Sequence, residues 1–313
     1  MRLERIDVLR GIAILLVVGH HMPINSGAFM LWRHVGWIGV DLFFVLSGFL
    51  VSGLLFAEYQ RHGTLSIARF LARRGLKIYP SFYTLLSLTV AYYAFVTSGW
   101  VAPRTPLPDL AARATAEAVY LGNYLPSVWG HTWSLAVEEH FYFMLAGGFV
   151  LLVRYRRANP FAALVPIVAL TVLGVTALRV FTWANYPYTF KTHLSVTHLR
   201  FDALAIGVLL SYAYHYHREA LLASVLRWRY ALAVAAALLI ATPFAWADGA
   251  LAPFGLLSFS LGFAVVLALT LTRTQRPPLA GRVIATVGVY SYSIYLWHPA
   301  VERMVARLSL SAL

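Results

Sequence analysis

Cysteine is absent from the 313-residue chain, and charged residues are scarce. The absence of cysteine excludes a disulfide framework, a cysteine-ligated zinc site and a catalytic thiol. Charged residues make up 12% of the chain and hydrophobic residues 60%, whereas a soluble domain carries about 25% charged residues. A composition with so few charges is typical of an all-α, polytopic membrane protein.

Most of the charges that are present are positive, with a formal net charge of +13. A nucleic-acid-binding protein gathers its basic residues on one soluble face. Here they fall in short clusters between apolar runs, as cytoplasmic loops do, so no nucleic-acid partner is expected. With a cytoplasmic N-terminus, 17 of the 25 Lys and Arg residues fall on the cytoplasmic side, and the outer side holds the others, Arg179 and Arg200 among them.

Nine apolar segments have the length, or nearly the length, to cross about 30 Å of hydrocarbon at about 1.5 Å per residue. They centre on residues 8–25, 36–58, 78–98, 133–153, 160–183, 199–216, 230–248, 252–272 and 283–302. No small-residue cleavage site follows Gly19, so the first segment is expected to remain as a helix. The sequence predicts one membrane domain over 1–313, a bundle of about nine to ten transmembrane helices with no attached soluble domain.

The first segment carries an arginine and two histidines, in LRGIAILLVVGHHMP. Arg10 and His21 are eleven residues apart, which places them on one helix face about 16 Å apart along the axis. His20 lies about 100° around the helix, so a metal site made of the two adjacent histidines is not expected. The alternative is a surface anchor at Arg10 and a packing histidine at His21.

The second segment opens with GWIGVDLFFVLSGFL, and Asp41 lies near its outer end. Because this segment runs back across the membrane, Asp41 is expected at the depth of His21, where a carboxylate would orient the imidazole as a general base. The alternative is a helix cap at the interface. The small pair Ser47 and Gly48 favours close helix packing.

A basic cluster, RFLARRGLKIYP, stands at the entrance of the third segment. Its cationic side chains suit phosphate groups, arginine through forked contacts and lysine as a point charge. Anionic lipid headgroups would be bound equally well, and both interpretations stay open. The candidate residues are Arg69, Arg73, Arg74 and Lys77.

Three further motifs place polar residues in apolar surroundings. In HTWSLAVEEHFYF, Glu138 lies one turn from Ser134 and from Tyr142 on one helix face. In THLRFDALAIG, His198 and Asp202 are four residues apart and form a second choice for the base. In SYSIYLWHP, Pro299 would kink the helix beside His298 and expose backbone carbonyls, or the segment is an aromatic belt at the interface.

In this order, the motifs resemble those of the membrane acyltransferase-3 family, from residue 5 to about residue 301. The resemblance implies a bundle of about ten transmembrane helices in the bacterial inner membrane. It also implies transfer of an acyl group, most often acetyl from acetyl-CoA, to a hydroxyl of a carbohydrate such as O-antigen, exopolysaccharide or another surface glycan. Acyl-CoA is then a co-substrate, and no permanently bound cofactor or metal is expected.

The resemblance also assigns roles to residues. The Arg-x10-His motif of the family maps onto Arg10 and His21, its basic motif onto Arg73, Arg74 and Lys77, and its Trp-Ser-Leu-x-x-Glu motif onto Trp133, Ser134, Leu135 and Glu138. We therefore expect His21 as general base with Asp41 or Glu138 orienting it. The expected donor site is Arg10, Arg69, Arg73, Arg74 and Lys77, and the expected acceptor site is Trp133, Ser134, Tyr142, Asp202 and His298.

Two features depart from the family pattern. The usual Arg-x-x-Arg pair reads Arg74-Gly-Leu-Lys77, and the tenth span is absent or reduced to Val305–Leu313. The alternatives are a proton-coupled transporter or lipid-linked glycan flippase, which also needs intramembrane His, Asp and Glu, and a non-catalytic acyl-CoA sensor. Direct transfer and an acyl-histidine intermediate stay open, as does the oligomeric state.

Overall fold

The computed structural model describes residues 4–22, 27–97, 109–155, 159–245 and 251–311. Across these ranges the chain is helical and contains no strand, which confirms the predicted all-α fold. The principal helices are α1 (Glu4–His21), α2 (Ala28–Val35), α3 (Gly39–His62), α4 (Ile67–Thr97), α5 (Leu110–Ala118), α6 (Trp133–Tyr155), α7 (Leu164–Asn185), α8 (Phe201–Tyr216), α9 (Arg218–Arg227), α10 (Arg229–Ala241), α11 (Leu256–Leu271), α12 (Leu279–Val289) and α13 (Ser291–Ser311).

Among the described residues, four helical stretches are long and apolar enough to cross a membrane, which agrees with a multi-pass protein. These are Phe29–His62, Gly130–Tyr155, Pro160–Asn185 and Pro253–Leu271. A fifth arises if α9 and α10, which meet at a bend of 82°, count as one broken span. Helix α1 carries several charges in its first two turns, and α8 has only 16 residues, so the count of nine to ten spans stays a prediction.

The last predicted span, 283–302, is wrong as a single helix. The chain breaks at Tyr290 into α12 and α13. Helix α13 then continues past Pro299 to Ser311, so the described part of the stretch expected as a remnant tenth span extends this helix instead.

Helix α3 lies at the centre of the bundle, packed against α1, α6, α8 and α11. Two glycines let α3 and α8 approach closely, since a Cβ atom at Gly48 would overlap the carbonyl of Leu204 and one at Gly207 would overlap the carbonyl of Val45. Such small residues are what apolar helices need for backbone contact. The predicted packing role of Gly48 is confirmed.

Helices α1 and α12 form a second close contact of the same kind. A Cβ atom at Gly11 would overlap the backbone of Ile284, and one at Gly288 would overlap the backbone of Asp7. The contact brings the start of α13 beside α1, where Arg10 Nη2 donates to Ser291 Oγ at 3.0 Å. Helix α13 therefore runs along the face of α1 that leads from Arg10 to His21.

Two arginines that the predicted topology counts on the outer side are buried in the bundle. Arg179 and Arg200 are each 2% exposed. Arg179 binds Asp202 through two hydrogen bonds of 2.6 and 2.8 Å, and Arg200 binds Asp41 at 2.8 Å. A charge in a buried position needs such a partner. These pairs join α7 to α8 and the start of α8 to α3, so they belong to the packing rather than to the loops.

Candidate active site

Two cavities lie back to back inside the bundle. The basic cavity has a volume of about 630 Å³ and is lined by Arg10, Arg74, Lys77, Ser134 and Glu138, among others. The histidine cavity has a volume of about 510 Å³ and is lined by His20, His21, His131, Glu302 and Arg303, among others. Of the residues that the structure describes, only Val40 and Tyr295 line both cavities. These two side chains therefore form a septum between the cavities.

The predicted basic cluster on α4 is divided between two helix faces. Arg74 and Lys77, three residues apart, line the basic cavity with Arg10 of α1. Arg69 and Arg73, four residues apart, share the neighbouring face of α4. Arg73 is exposed, and Arg69 Nη1 lies 3.6 Å from Glu58 Oε1. The structure thus brings three of the five predicted donor-site residues together and leaves Arg69 and Arg73 outside the cavity.

Tyr142 connects Arg74 to Glu138 at the wall of the basic cavity. Its hydroxyl donates to Glu138 Oε2 at 2.8 Å and accepts from Ser47 Oγ at 2.6 Å and from Arg74 Nη2. The Arg74 guanidinium also lies 4.3 Å from the centre of the tyrosine ring. Since Tyr142 is fully buried, it supports the charged pair from behind rather than lining the cavity as predicted for a substrate contact.

His21 is held by the backbone of its own helix. Its Nδ1 atom lies 2.9 Å from the carbonyl oxygen of Val17, and because a carbonyl only accepts, Nδ1 must carry the proton. The lone pair is then on Nε2, the state that a general base requires. Asp41 and Glu138 were expected to fix this tautomer, whereas the structure assigns the task to the Val17 carbonyl.

Three further histidines surround His21. The ring of His298 lies 4.8 Å from the His21 ring and that of His20 lies 5.1 Å away, while His131 is 5.5 Å from His298. His298 donates from Nδ1 to Tyr295 O at 2.7 Å, and His131 from Nε2 to Leu296 O at 3.1 Å. The predicted acceptor residue His298 thus stands directly behind His21. Among the residues described, no group of three or more ligating side chains has the arrangement of a metal site.

Asp41 does not reach His21 and instead holds Arg200 at the wall of the histidine cavity. The Arg200 guanidinium, which lines this cavity, lies 5.5 Å from the Trp133 ring and 5.3 Å from the Phe44 ring. Trp133 lines the same cavity, as predicted for an acceptor contact. The predicted Asp41–His21 pair is therefore replaced by a buried Asp41–Arg200 pair.

The alternative base pair, His198 with Asp202, is not assembled. Asp202 is fully buried against Arg179 and is absent from the lining of both cavities. His198 is exposed, and its Nδ1 lies 3.1 Å from the hydroxyl of Tyr124. Asp202 is thus a packing residue in this fold, and the structure does not place it with the acceptor site.

Ser134 positions the septum. Its Oγ donates to the Tyr295 hydroxyl at 2.6 Å, and this hydroxyl in turn donates to the carbonyl of His131 at 2.6 Å. Tyr295 was not singled out from the sequence, because aromatic residues are common at membrane interfaces. Its place between the cavities depends on the break at Tyr290, which sets the register of α13 beside α1.

Glu117 organises the segment that closes the histidine cavity, and sequence reasoning missed it. Its carboxylate accepts from the backbone N–H groups of Val128 and Trp129 at 2.7 and 2.9 Å and from Thr132 Oγ1 at 2.8 Å. Burial raises the pKa of Glu117 above its ordinary value, against the three hydrogen bonds, which lower it. The anchored segment carries Trp129, whose ring packs 4.2 Å from the Arg303 guanidinium at the cavity wall.

The chain resembles known proteins over nearly its whole length. The family model described as "Acyltransferase domain" matches residues 3–312. The peptidoglycan O-acetyltransferase OatA of Listeria monocytogenes is 25% identical, over 94% of this chain and 48% of its own length. The O-acetyltransferase OatA of Staphylococcus aureus is 24% identical, over 95% of this chain and 50% of its own. The chain thus spans about half the length of these curated relatives, and no solved structure matches it significantly.

Proposed function

The chain belongs to the membrane acyltransferase-3 family, and from this premise we propose that it transfers an acetyl group from acetyl-CoA to a hydroxyl of a cell-surface glycan. The observation that carries the proposal is the position of His21. It lines one cavity, and its Nε2 makes no hydrogen bond to the described residues, while the other cavity, across the septum, is lined by three cations. The names of the OatA relatives favour peptidoglycan as the acceptor.

The basic cavity suits the donor. Coenzyme A carries phosphates at one end and a thioester at the end of a narrow pantetheine arm. Arg10, Arg74 and Lys77 provide the charge-assisted hydrogen bonds that phosphates require, and the apolar lining of Phe43, Phe44 and others accepts the arm. Arg10 and His21 are about 16 Å apart along α1, so a donor that enters at Arg10 brings its thioester toward the septum.

The chemistry needs one base that later acts as an acid. His21 Nε2 takes the proton of the acceptor hydroxyl as the oxygen attacks the thioester carbonyl. The carbon–sulfur bond then breaks, and the leaving coenzyme A thiolate takes the proton from His21. General-base assistance of this kind contributes roughly 10²- to 10⁴-fold in rate. An acyl-histidine intermediate is the alternative, and it would trap label on His21 when acetyl-CoA is supplied without acceptor.

The identity of the donor determines how the protein is oriented in the membrane. Because coenzyme A is cytoplasmic, we place the basic cavity on the cytoplasmic side of the bacterial inner membrane and the histidine cavity on the outer side. A single cysteine introduced at exposed Arg61 or at exposed Met30, in a chain without cysteine, reports the orientation through labelling with a membrane-impermeant thiol reagent. Labelling of Met30→Cys from outside intact cells supports the proposal, and labelling of Arg61→Cys opposes it.

The test of the function is an assay on the purified protein in liposomes with a panel of solubilised glycans, peptidoglycan strands included. Release of free coenzyme A that depends on both acetyl-CoA and a glycan supports the enzyme and excludes a transporter or a sensor. Acetyl phosphate replaces acetyl-CoA in a parallel arm, so that another activated donor is recognised. His21→Ala is expected to lose transfer, and His62→Ala, an exposed histidine at the end of α3, is the matched control.

A further inference from the structure

We propose that Val40 and Tyr295 form the passage through which the acyl group reaches His21, and that the size of Val40 limits the length of the acyl group. This inference rests on the proposed function, since it concerns the donor of that reaction. It makes Val40 a specificity-determining residue, a role that its apolar side chain and its position in the sequence do not suggest.

The site is divided between the two cavities. His21 lines the histidine cavity, while Arg10, Arg74 and Lys77 line the basic cavity. The base and the donor site therefore lie on opposite sides of the septum, and the thioester carbonyl must pass between Val40 and Tyr295, the two shared side chains, to meet an oxygen held at His21.

Tyr295 is the fixed side of the passage. It is buried, its hydroxyl is bound by Ser134 and by the His131 carbonyl, and its ring packs 6.4 Å from Phe43 and 5.7 Å from His131. To swing the ring aside would break two hydrogen bonds of 2.6 Å in a buried place, which is costly. The opening is thus set mainly by the residue opposite.

Val40 is that residue. It lies in the first turn of α3, is half-buried and has no polar group to anchor it. A valine in a helix holds one preferred χ1 rotamer, so its two methyl groups present a constant width to the passage. Replacement by alanine widens the passage without adding a polar group, and replacement by phenylalanine fills it.

The test is a competition among acetyl-, propionyl- and butyryl-CoA at equal concentrations, with the acylated glycan products quantified by mass spectrometry. Val40→Ala is expected to raise the ratio of butyryl to acetyl product by about tenfold or more, the discrimination that one methylene group provides in an apolar pocket. Val45→Ala is the matched control, because Val45 lies five residues further along α3, is buried toward α8 and lines neither cavity. An unchanged product ratio in Val40→Ala overturns the proposal.

A second measurement does not depend on turnover. In a chain without native cysteine, Val40→Cys reports the septum and Leu50→Cys reports the basic cavity. Acetyl-CoA is expected to slow maleimide labelling at both positions. Desulfo-CoA, which has no acyl group, is expected to slow labelling at Leu50→Cys alone. Protection at Leu50→Cys without protection at Val40→Cys overturns the passage but leaves the donor site intact. The absence of protection at both, with no transfer by the wild type, refutes the proposed function and the passage with it.

Discussion

The buried pair of Asp41 and Arg200 gives the sharpest prediction about how the histidine cavity is built. Arg200 Nη2 lies 2.8 Å from Asp41 Oδ1, and the two side chains are 3% and 1% exposed. Removal of one partner leaves a charge buried without compensation, which costs about 3–5 kcal/mol. Removal of both takes away the charge together with its partner, so the double variant avoids most of this penalty.

We therefore expect Asp41→Ala and Arg200→Ala each to lower the midpoint of thermal unfolding by roughly 5 to 10 °C, measured in detergent with a thiol-independent fluorescent dye. The variant with both substitutions is expected to be less destabilised than the sum of the two single variants by about 3 kcal/mol. Strictly additive losses would refute the pairing, because two residues that do not interact have no coupling energy.

The same cycle separates the two roles that Asp41 has been given. If Asp41 oriented His21, Asp41→Ala would abolish transfer whatever residue stood at 200. If Asp41 only holds Arg200 against Trp133, Asp41→Ala and Arg200→Ala should reduce transfer to the same extent, and the double variant should lose no more than either. We expect the second result.

Three other predictions follow from the described contacts. Arg74→Lys keeps the charge but loses the planar guanidinium that binds the Tyr142 hydroxyl and packs on its ring, so it should raise the KM for acetyl-CoA by about tenfold. Arg69→Lys should change this KM by less than about twofold, because the contact of Arg69 is exposed. Equal effects would contradict the division of the basic cluster. Glu117→Gln replaces an acceptor of three hydrogen bonds with a group that also donates. It should therefore lower the free energy of unfolding by about 1–3 kcal/mol and raise the KM for the glycan. An unchanged KM would argue against a role of Glu117 in the cavity wall. Asp202→Asn should destabilise the protein yet leave the transfer rate per folded molecule unchanged, and a large rate loss would return Asp202 to the acceptor site.

Much of the architecture is visible in the sequence because it depends on local rules. Apolar length predicts the helices, small residues such as Gly48 predict close packing, and four-residue spacing predicts the contact of Glu138 with Tyr142, which the structure places at 2.8 Å. Each of these depends on a single helix or on the requirements of a bilayer. Local patterns of this kind need no knowledge of how distant segments meet.

The partners of the site residues are less accessible to sequence reasoning. Asp41 and Arg200 are 159 positions apart, and no local rule indicates which arginine a buried carboxylate will choose. His21 and Glu117 are held by backbone carbonyl and amide groups, which every residue carries and no motif reveals. Helical spacing does separate Arg69 and Arg73 from Arg74, but only the neighbouring helices decide which face lines a cavity.

In the proposed reaction, a donor bound in the basic cavity is used by His21 from the other side of the septum. This proposal is tested most directly by measuring acetyl-CoA binding and acetyl transfer in parallel on folded His21→Ala protein in liposomes. We expect a Kd for acetyl-CoA within about twofold of the wild type and a transfer rate at least about 100-fold lower. A variant that binds and transfers acetyl like the wild type would contradict the proposal, as would a folded variant that no longer binds acetyl-CoA.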